Sequence, residues 1–222
     1  MQSKSTSCAA VIFDFEGTLV DFQWQLAPAE AGLRAACADL GLRGAEFSGG
    51  NYATLWNAAA DLWAPQGRLD ELRQALCPIY DRWDADALTR WALRPGAREL
   101  LAQLAERGIR AGLVSNIGLR ALNAALERFG CAELLSPIVS RDDVTCMKPR
   151  AEGILRAMAQ WPPAGKTLFV GDSRADVLAA RAAGLSVAII RGGECAASAF
   201  ADLPPDHFIS RLDEIAGLLA ER

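Results

Sequence analysis

The chain is poor in the residues that most hydrolytic enzymes use as bases. Its 222 residues include one histidine, His207, which falls in an apolar stretch near the C-terminal end. Serine and cysteine nucleophiles usually need a histidine base, so both mechanisms are disfavoured, and a histidine-rich metal site is excluded. Lysine is nearly as scarce: Lys4, Lys148 and Lys166 stand against twenty arginines. A lysine kept in so arginine-rich a chain suits a position that needs a compact ammonium. The six cysteines (Cys8, Cys37, Cys77, Cys131, Cys146, Cys195) are scattered and form no C-x-x-C pair. They read as reduced, mostly buried thiols. No apolar run approaches the length of a membrane-spanning helix. The run from Cys8 to Phe13 stops at Asp14 without a small-residue cleavage site, so no signal peptide is expected and the cytoplasm is the expected compartment. Positive charge is also in deficit. A net charge of −4 gives no broad field for nucleic acid or an anionic membrane, and a phosphate ligand would need positive charge gathered locally.

What the chain does have is apolar surface to bury, with 51% apolar and 23% charged residues. That is a globular composition, long enough for one good-sized domain or for a core with a smaller insertion. Ala9–Phe13 is a continuous apolar run that predicts a buried strand, with a sharp turn after it. From about Phe22 to Trp91 apolar residues recur at three- and four-residue spacing. This predicts helices over Ala29–Leu40, Tyr52–Trp63 and Leu69–Trp83, parted by Gly49-Gly50 and Ala64-Pro65-Gln66-Gly67. Beyond Arg94-Pro95-Gly96 the pattern alternates. Strands are expected at Ile109–Val114, Pro137–Val139, Thr167–Val170, Ser186–Ile190 and Phe208–Ile209. Helices are expected at Ala97–Arg107, Leu119–Phe129, Ala151–Gln160, Ala175–Ala183 and Leu212–Ala220. Alternation of this kind predicts an α/β fold, a Rossmann-like parallel sheet covered on both faces. The helical block is too long for a crossover. It reads as an all-helical module, residues 22–92, inserted into a core of residues 1–21 and 93–222.

Ligands of parallel α/β sheets bind outside the carboxyl ends of the strands, so the polar residues there are the candidates. Asp14, Glu16 and Thr18 follow the first strand, and Ser115-Asn116 the second. Lys148-Pro149 follows the short third strand; Asp172, Ser173 and Asp176 follow the fourth. Clustered acids repel unless a cation neutralises them. Mg2+ accepts a few carboxylates together with waters and phosphate oxygens. Such a set suits phosphoryl transfer to a carboxylate, with a lysine and a metal drawing off charge and a second carboxylate moving the proton.

The same residues carry a family resemblance. Asp14-Phe15-Glu16-Gly17-Thr18-Leu19-Val20-Asp21 resembles the first motif of the haloacid dehalogenase-like (HAD) superfamily, whose phosphatases read D-x-D-G-T-L. Ser115-Asn116, Lys148-Pro149 and Gly171-Asp172-Ser173-Arg174-Ala175-Asp176 are similar to its second, third and fourth motifs, in order, and the similarity runs from about residue 9 to 220. The overall pattern most resembles the phosphoglycolate phosphatase-like branch. The resemblance implies Asp14 as nucleophile and metal ligand, with Asp172, Asp176 and the backbone carbonyl at Glu16 completing an Mg2+ site. It implies that Thr18, Ser115, Asn116 and Lys148 hold the phosphoryl group of a small phosphorylated metabolite and that the all-helical block is the family's cap domain; a monomer or homodimer is expected.

Glu16 departs from the pattern, because the family's phosphatases carry aspartate there as acid/base. Glutamate keeps the carboxylate and changes its reach. Three readings stay open on this residue: a working phosphatase, slow turnover with a long-lived aspartyl-phosphate, and a phosphometabolite-binding protein without useful turnover. A phosphotransferase is a further alternative, and an acidic group at position 16 disfavours a haloacid dehalogenase. With no lysine between Lys4 and Lys148, the phosphonatase chemistry of a cap lysine is absent. Candidates to contact the leaving group are Gln23, Trp24, Arg34, Arg68 and Arg73; Trp56, Trp63, Trp83 and Trp91 read as packing residues.

Overall fold

The runs expected as strands pair into one sheet. The protein is described here from a computed structural model, which covers residues 10–162 and 166–220, so Ala9 lies outside the described residues. The strands are β1 (Ala10–Phe13), β2 (Arg110–Val114), β3 (Ile138–Val139), β4 (Thr167–Gly171), β5 (Ser186–Ile190) and β6 (His207–Ile209). They lie in the order β3-β2-β1-β4-β5-β6, and every neighbouring pair is parallel. His207 opens β6, inside the expected final strand.

A two-residue period in β1 sends its side chains to opposite faces. Val11 and Phe13 join an apolar cluster with α5 (Ala97–Glu106), α6 (Leu119–Arg128) and α9 (Ile215–Ala220). Ile12 joins the other cluster, with α7 (Glu152–Ala159) and α8 (Arg174–Ala182). Both faces are therefore covered, which is why these strands read as unbroken apolar runs.

Between β1 and α5 the chain forms α1 (Leu26–Asp39), α2 (Ala45–Gly49), α3 (Tyr52–Trp63) and α4 (Leu69–Leu88). Their buried residues, among them Leu33, Leu55, Trp56, Leu72 and Tyr80, are continuous with the cluster on the first face of the sheet. Asn51 caps α3 by accepting from the Thr54 amide, at 2.9 Å. Gly67, in the left-handed region at φ 71°, closes the turn before α4. The expected helix over Leu69–Trp83 runs on to Leu88. Leu76, Tyr80, Asp84 and Ala87 share its buried face, so an aspartate occupies the position where an apolar residue would have continued the pattern. The short α2, with Phe47 buried, was not expected from periodicity, because one turn is too short to show any. Among the described residues no helix is long and apolar enough to cross a membrane.

The register fixes the site. Phe13 stands opposite Leu113 on one side and Val170 on the other. Asp14, Ser115 and Asp172 therefore emerge together at the carboxyl edge. The connections leaving β1 and β4 run to opposite sides, which makes this the switch point where α/β sheets open a crevice.

Candidate active site

Four charged groups share that crevice, all buried. Lys148 Nζ lies 2.6 Å from Asp14 Oδ1 and 2.7 Å from Asp176 Oδ1. Asp14, Asp172 and Asp176 place oxygens within 4.8 Å of one another. Asp172 accepts from the Glu194 amide at 2.5 Å and, at 3.4 Å, from the Thr18 hydroxyl. Its carboxylate is wedged against two backbones: a Cβ at Gly17 would come to 2.0 Å from Asp172 Oδ2, and one at Gly193 to 2.1 Å. Gly17 also holds φ at 78°, which only glycine adopts freely. Asp176 has two tasks. Its Oδ2 closes the capping box of α8, accepting from the amides of Asp172 and Ser173 and from the Ser173 hydroxyl, while Oδ1 faces Lys148.

The electrostatics show a deficit of positive charge. Burial raises the Asp14 carboxyl to about 6; Lys148 pulls it down and Asp176 pushes it up again. Burial, then Asp176 and Asp14, hold Asp172 well above the carboxylate range. Burial works against the Lys148 ammonium, but Asp14 and Asp176 outweigh it and keep its pKa above the ordinary lysine value. Asp172 bonds no cation among the described residues and feels the charge of Arg94, while Lys148 bonds two of the three buried carboxylates. A divalent cation among them would remove the repulsion, and an all-oxygen donor set suits a hard ion such as Mg2+.

Glu16 stands beside this cluster and is tied to the two chain segments that lead into and out of the helical insertion. Its Oε1 accepts from the Gln23 amide (2.9 Å), the Trp24 amide (2.7 Å) and the Trp91 indole (2.8 Å). Burial pushes Glu16 up to about 7, against the pull of those three bonds. Trp91, expected as a packing residue, does pack edge-on against Phe15, and it also orients this carboxylate.

A cavity of about 30 Å³ lies over these groups, lined by Asp14, Glu16, Ser115, Asn116, Lys148 and Ser173 from the rim. Phe22, Trp24 and Tyr52 line it from the insertion, and Glu194 from the loop after β5. Thr18 does not line it and is fully buried behind Asp172. Asn116 lines it but uses its amide as a clasp, donating to the Lys148 carbonyl (3.2 Å) and accepting from the Lys148 amide (3.0 Å). Ser115 Oγ accepts from the Ile117 amide at 3.2 Å.

Several of these partners were not legible as functional residues. Asn57 of α3 makes a second clasp, on the backbone of Met147 (2.9 and 2.8 Å), so the insertion grips the segment that carries Lys148. Asp84 accepts from the Trp24 indole (3.0 Å), the Gly118 amide (3.0 Å) and Arg141 Nη1 (2.8 Å). Both are polar residues on buried helix faces, and that was the available signal. Glu194 had none beyond its place after a strand; burial, then Asp176 and Asp14, raise it to about 7. Of the other residues expected at the leaving group, Gln23 bonds Asp21, Arg68 bonds Glu71, and Arg73 pairs with Asp70. Arg34 donates to the Gly50 carbonyl and pairs with Glu30. None of the four lines the cavity.

A phosphoglycolate phosphatase of Yersinia pseudotuberculosis serotype I (strain IP32953) is 31% identical over 226 residues, covering 96% of this chain and 95% of that one. An N-acetylmuramic acid 6-phosphate phosphatase of Pseudomonas aeruginosa (strain PAO1) is 30% identical, over 86% of this chain and 84% of the other. The crystal structure of a hydrolase from Pseudomonas syringae shares the fold, with a TM-score of 0.66 at 21% identity, over 95% of this chain and 97% of that one. The family model for haloacid dehalogenase-like hydrolases matches residues 8–184, and the chain belongs to that family.

Proposed function

We propose that the protein is a cytoplasmic, Mg2+-dependent phosphatase that hydrolyses a small phosphomonoester through a phosphoenzyme on Asp14. The observation that carries this reading is the buried set of Asp14, Asp172 and Asp176 around Lys148, at the switch point of the sheet. Both relatives named above are phosphatases, with different esters in their names. Asp14, Asp172, Asp176 and the Glu16 carbonyl would hold the metal. When bound, it would supply charge to the phosphoryl oxygens and to the cluster.

The chain's own groups then divide the work. An Asp14 carboxylate oxygen forms the bond to phosphorus as the bond from phosphorus to the leaving oxygen breaks. Glu16 gives that oxygen its proton, then takes one from the water that displaces Asp14 and releases inorganic phosphate. A pKa of about 7 suits a group that must do both. Lys148 offers its third proton donor to the phosphoryl oxygens, with Ser115 and Asn116 beside it.

The helical insertion acts as a cap in this reading. Phe22, Trp24 and Tyr52 cover the cavity from the insertion, so entry of an ester is coupled to movement of the insertion off the rim. Phosphate release from p-nitrophenyl phosphate and a panel of small esters, with Mg2+ and with chelator, tests the proposal. Turnover that does not depend on Mg2+ would contradict it.

A further inference from the structure

This inference rests on the phosphatase reading above and concerns the part of the ester that departs. One divalent cation and Lys148 together match the charge of the three aspartates, and Arg94, a further cation acting on Asp172, does not line the cavity. Away from Asp14, Ser115, Asn116, Lys148 and Ser173 the cavity wall is apolar and acidic: Phe22, Trp24 and Tyr52 from the insertion, Ile117 and Ala175 from the rim, and Glu16 and Glu194. Lys148 is the one cation lining the cavity among the described residues, and it is already bonded to Asp14 and Asp176. Of the insertion's six arginines, Arg34 is engaged with Glu30 and the Gly50 carbonyl, Arg68 with Glu71, Arg73 with Asp70 and Arg90 with Asp86, and neither Arg43 nor Arg82 lines the cavity. Arg141, the guanidinium beneath the Trp24–Asp84 bond, is paired with Asp84.

A carboxylate on the leaving group would therefore face Glu194 with no counter-charge, in a site poor in water, where like charges repel strongly. A hydroxyl there can donate to the carboxylate while its carbons lie on the aromatic faces. An amine adds a charge of the right sign and can sit over a ring. We propose that Glu194 is a specificity-determining residue that selects phosphomonoesters whose leaving group ends in a hydroxyl or an amine and rejects those that end in a carboxylate.

Three short esters isolate the terminus: 2-phosphoglycolate, 2-hydroxyethyl phosphate and 2-aminoethyl phosphate. Their affinities are measured by calorimetry at pH 8 and saturating Mg2+ on the full chain carrying Asp14→Asn, which should not turn over. The hydroxyl and amine esters should bind about tenfold or more tighter than 2-phosphoglycolate. Adding Glu194→Gln should bring the ratio toward one, and Glu194→Ala should act in the same direction. Equal or tighter binding of 2-phosphoglycolate, or a ratio that both Glu194 variants leave unchanged, would overturn the proposal. Turnover of p-nitrophenyl phosphate by the native chain reports separately on the phosphatase reading, and its absence would count against that reading alone.

Discussion

Glu16 is one methylene longer than the aspartate that the resemblance leads one to expect, and the extra reach has a structural use. One of its oxygens collects the amides of Gln23 and Trp24 and the indole of Trp91, all held near the ends of the helical insertion. Glu16→Gln keeps the size and removes the proton relay, so kcat should fall by ~10²–10⁴-fold in a phosphate-release assay. As the acid of the first step, Glu16 must enter protonated, and kcat/KM should decline as the pH rises past about 7. Trp91→Phe removes a donor that favours the ionised form, so the same decline should move to higher pH in a pH–rate profile. Asp14 and Asp172 were legible in the sequence because each follows a strand with a continuous apolar run, and Lys148 because lysine is so scarce in this chain. Glu194 and Asn57 were not, because their importance comes from what the fold sets opposite them, a cavity in one case and the Met147 backbone in the other.

At the scale of elements, α4 shows why part of the fold escaped periodicity. Its expected end at Trp83 gave way to one at Leu88 because Asp84 interrupts the apolar stripe. The aspartate is there to meet Arg141, whose side chain is only 1% exposed and lies 4.9 Å over the Tyr80 ring. The same carboxylate reaches Gly118, just past Ser115-Asn116, and the Trp24 indole. The insertion is thus fastened to the loop beside the proposed phosphoryl site. Asp84→Ala would leave the guanidinium with only exposed carboxylates, Asp81 and Asp142, beside the Asn116 carbonyl, and should cost ~3–5 kcal/mol in denaturant unfolding. A loss below ~1 kcal/mol, the range of exposed pairs, would show that the contact fastens nothing. The β-strands were read nearly residue for residue, since burial on both faces leaves them without polar interruptions.

For the whole molecule, the electrostatic balance of the crevice sets a stability that depends on pH and metal together. The carboxyls of Asp14 and Glu16 ordinarily titrate at 3.8 and 4.5, but in the fold they are raised to about 6 and about 7. The folded form therefore binds these protons more tightly than the unfolded chain. Their contribution is fullest below the ordinary values and is lost as the pH rises through the raised ones. In chelator the melting temperature should show this loss between about pH 4 and pH 7. Mg2+ at about a hundred times its dissociation constant should restore ~2.7 kcal/mol near neutrality. Equal melting curves with Mg2+ and with chelator at neutral pH would argue against a metal in the cluster. The central claim is that Asp14 carries the phosphoryl group with the help of a metal, and one assay reaches it most directly. Phosphate release from p-nitrophenyl phosphate is compared for the native chain and Asp14→Asn, each with Mg2+ and with chelator. Turnover is expected only for the native chain with Mg2+, with the variant down ~10³-fold or more and its circular dichroism unchanged. A folded Asp14→Asn variant that keeps the native rate would contradict it.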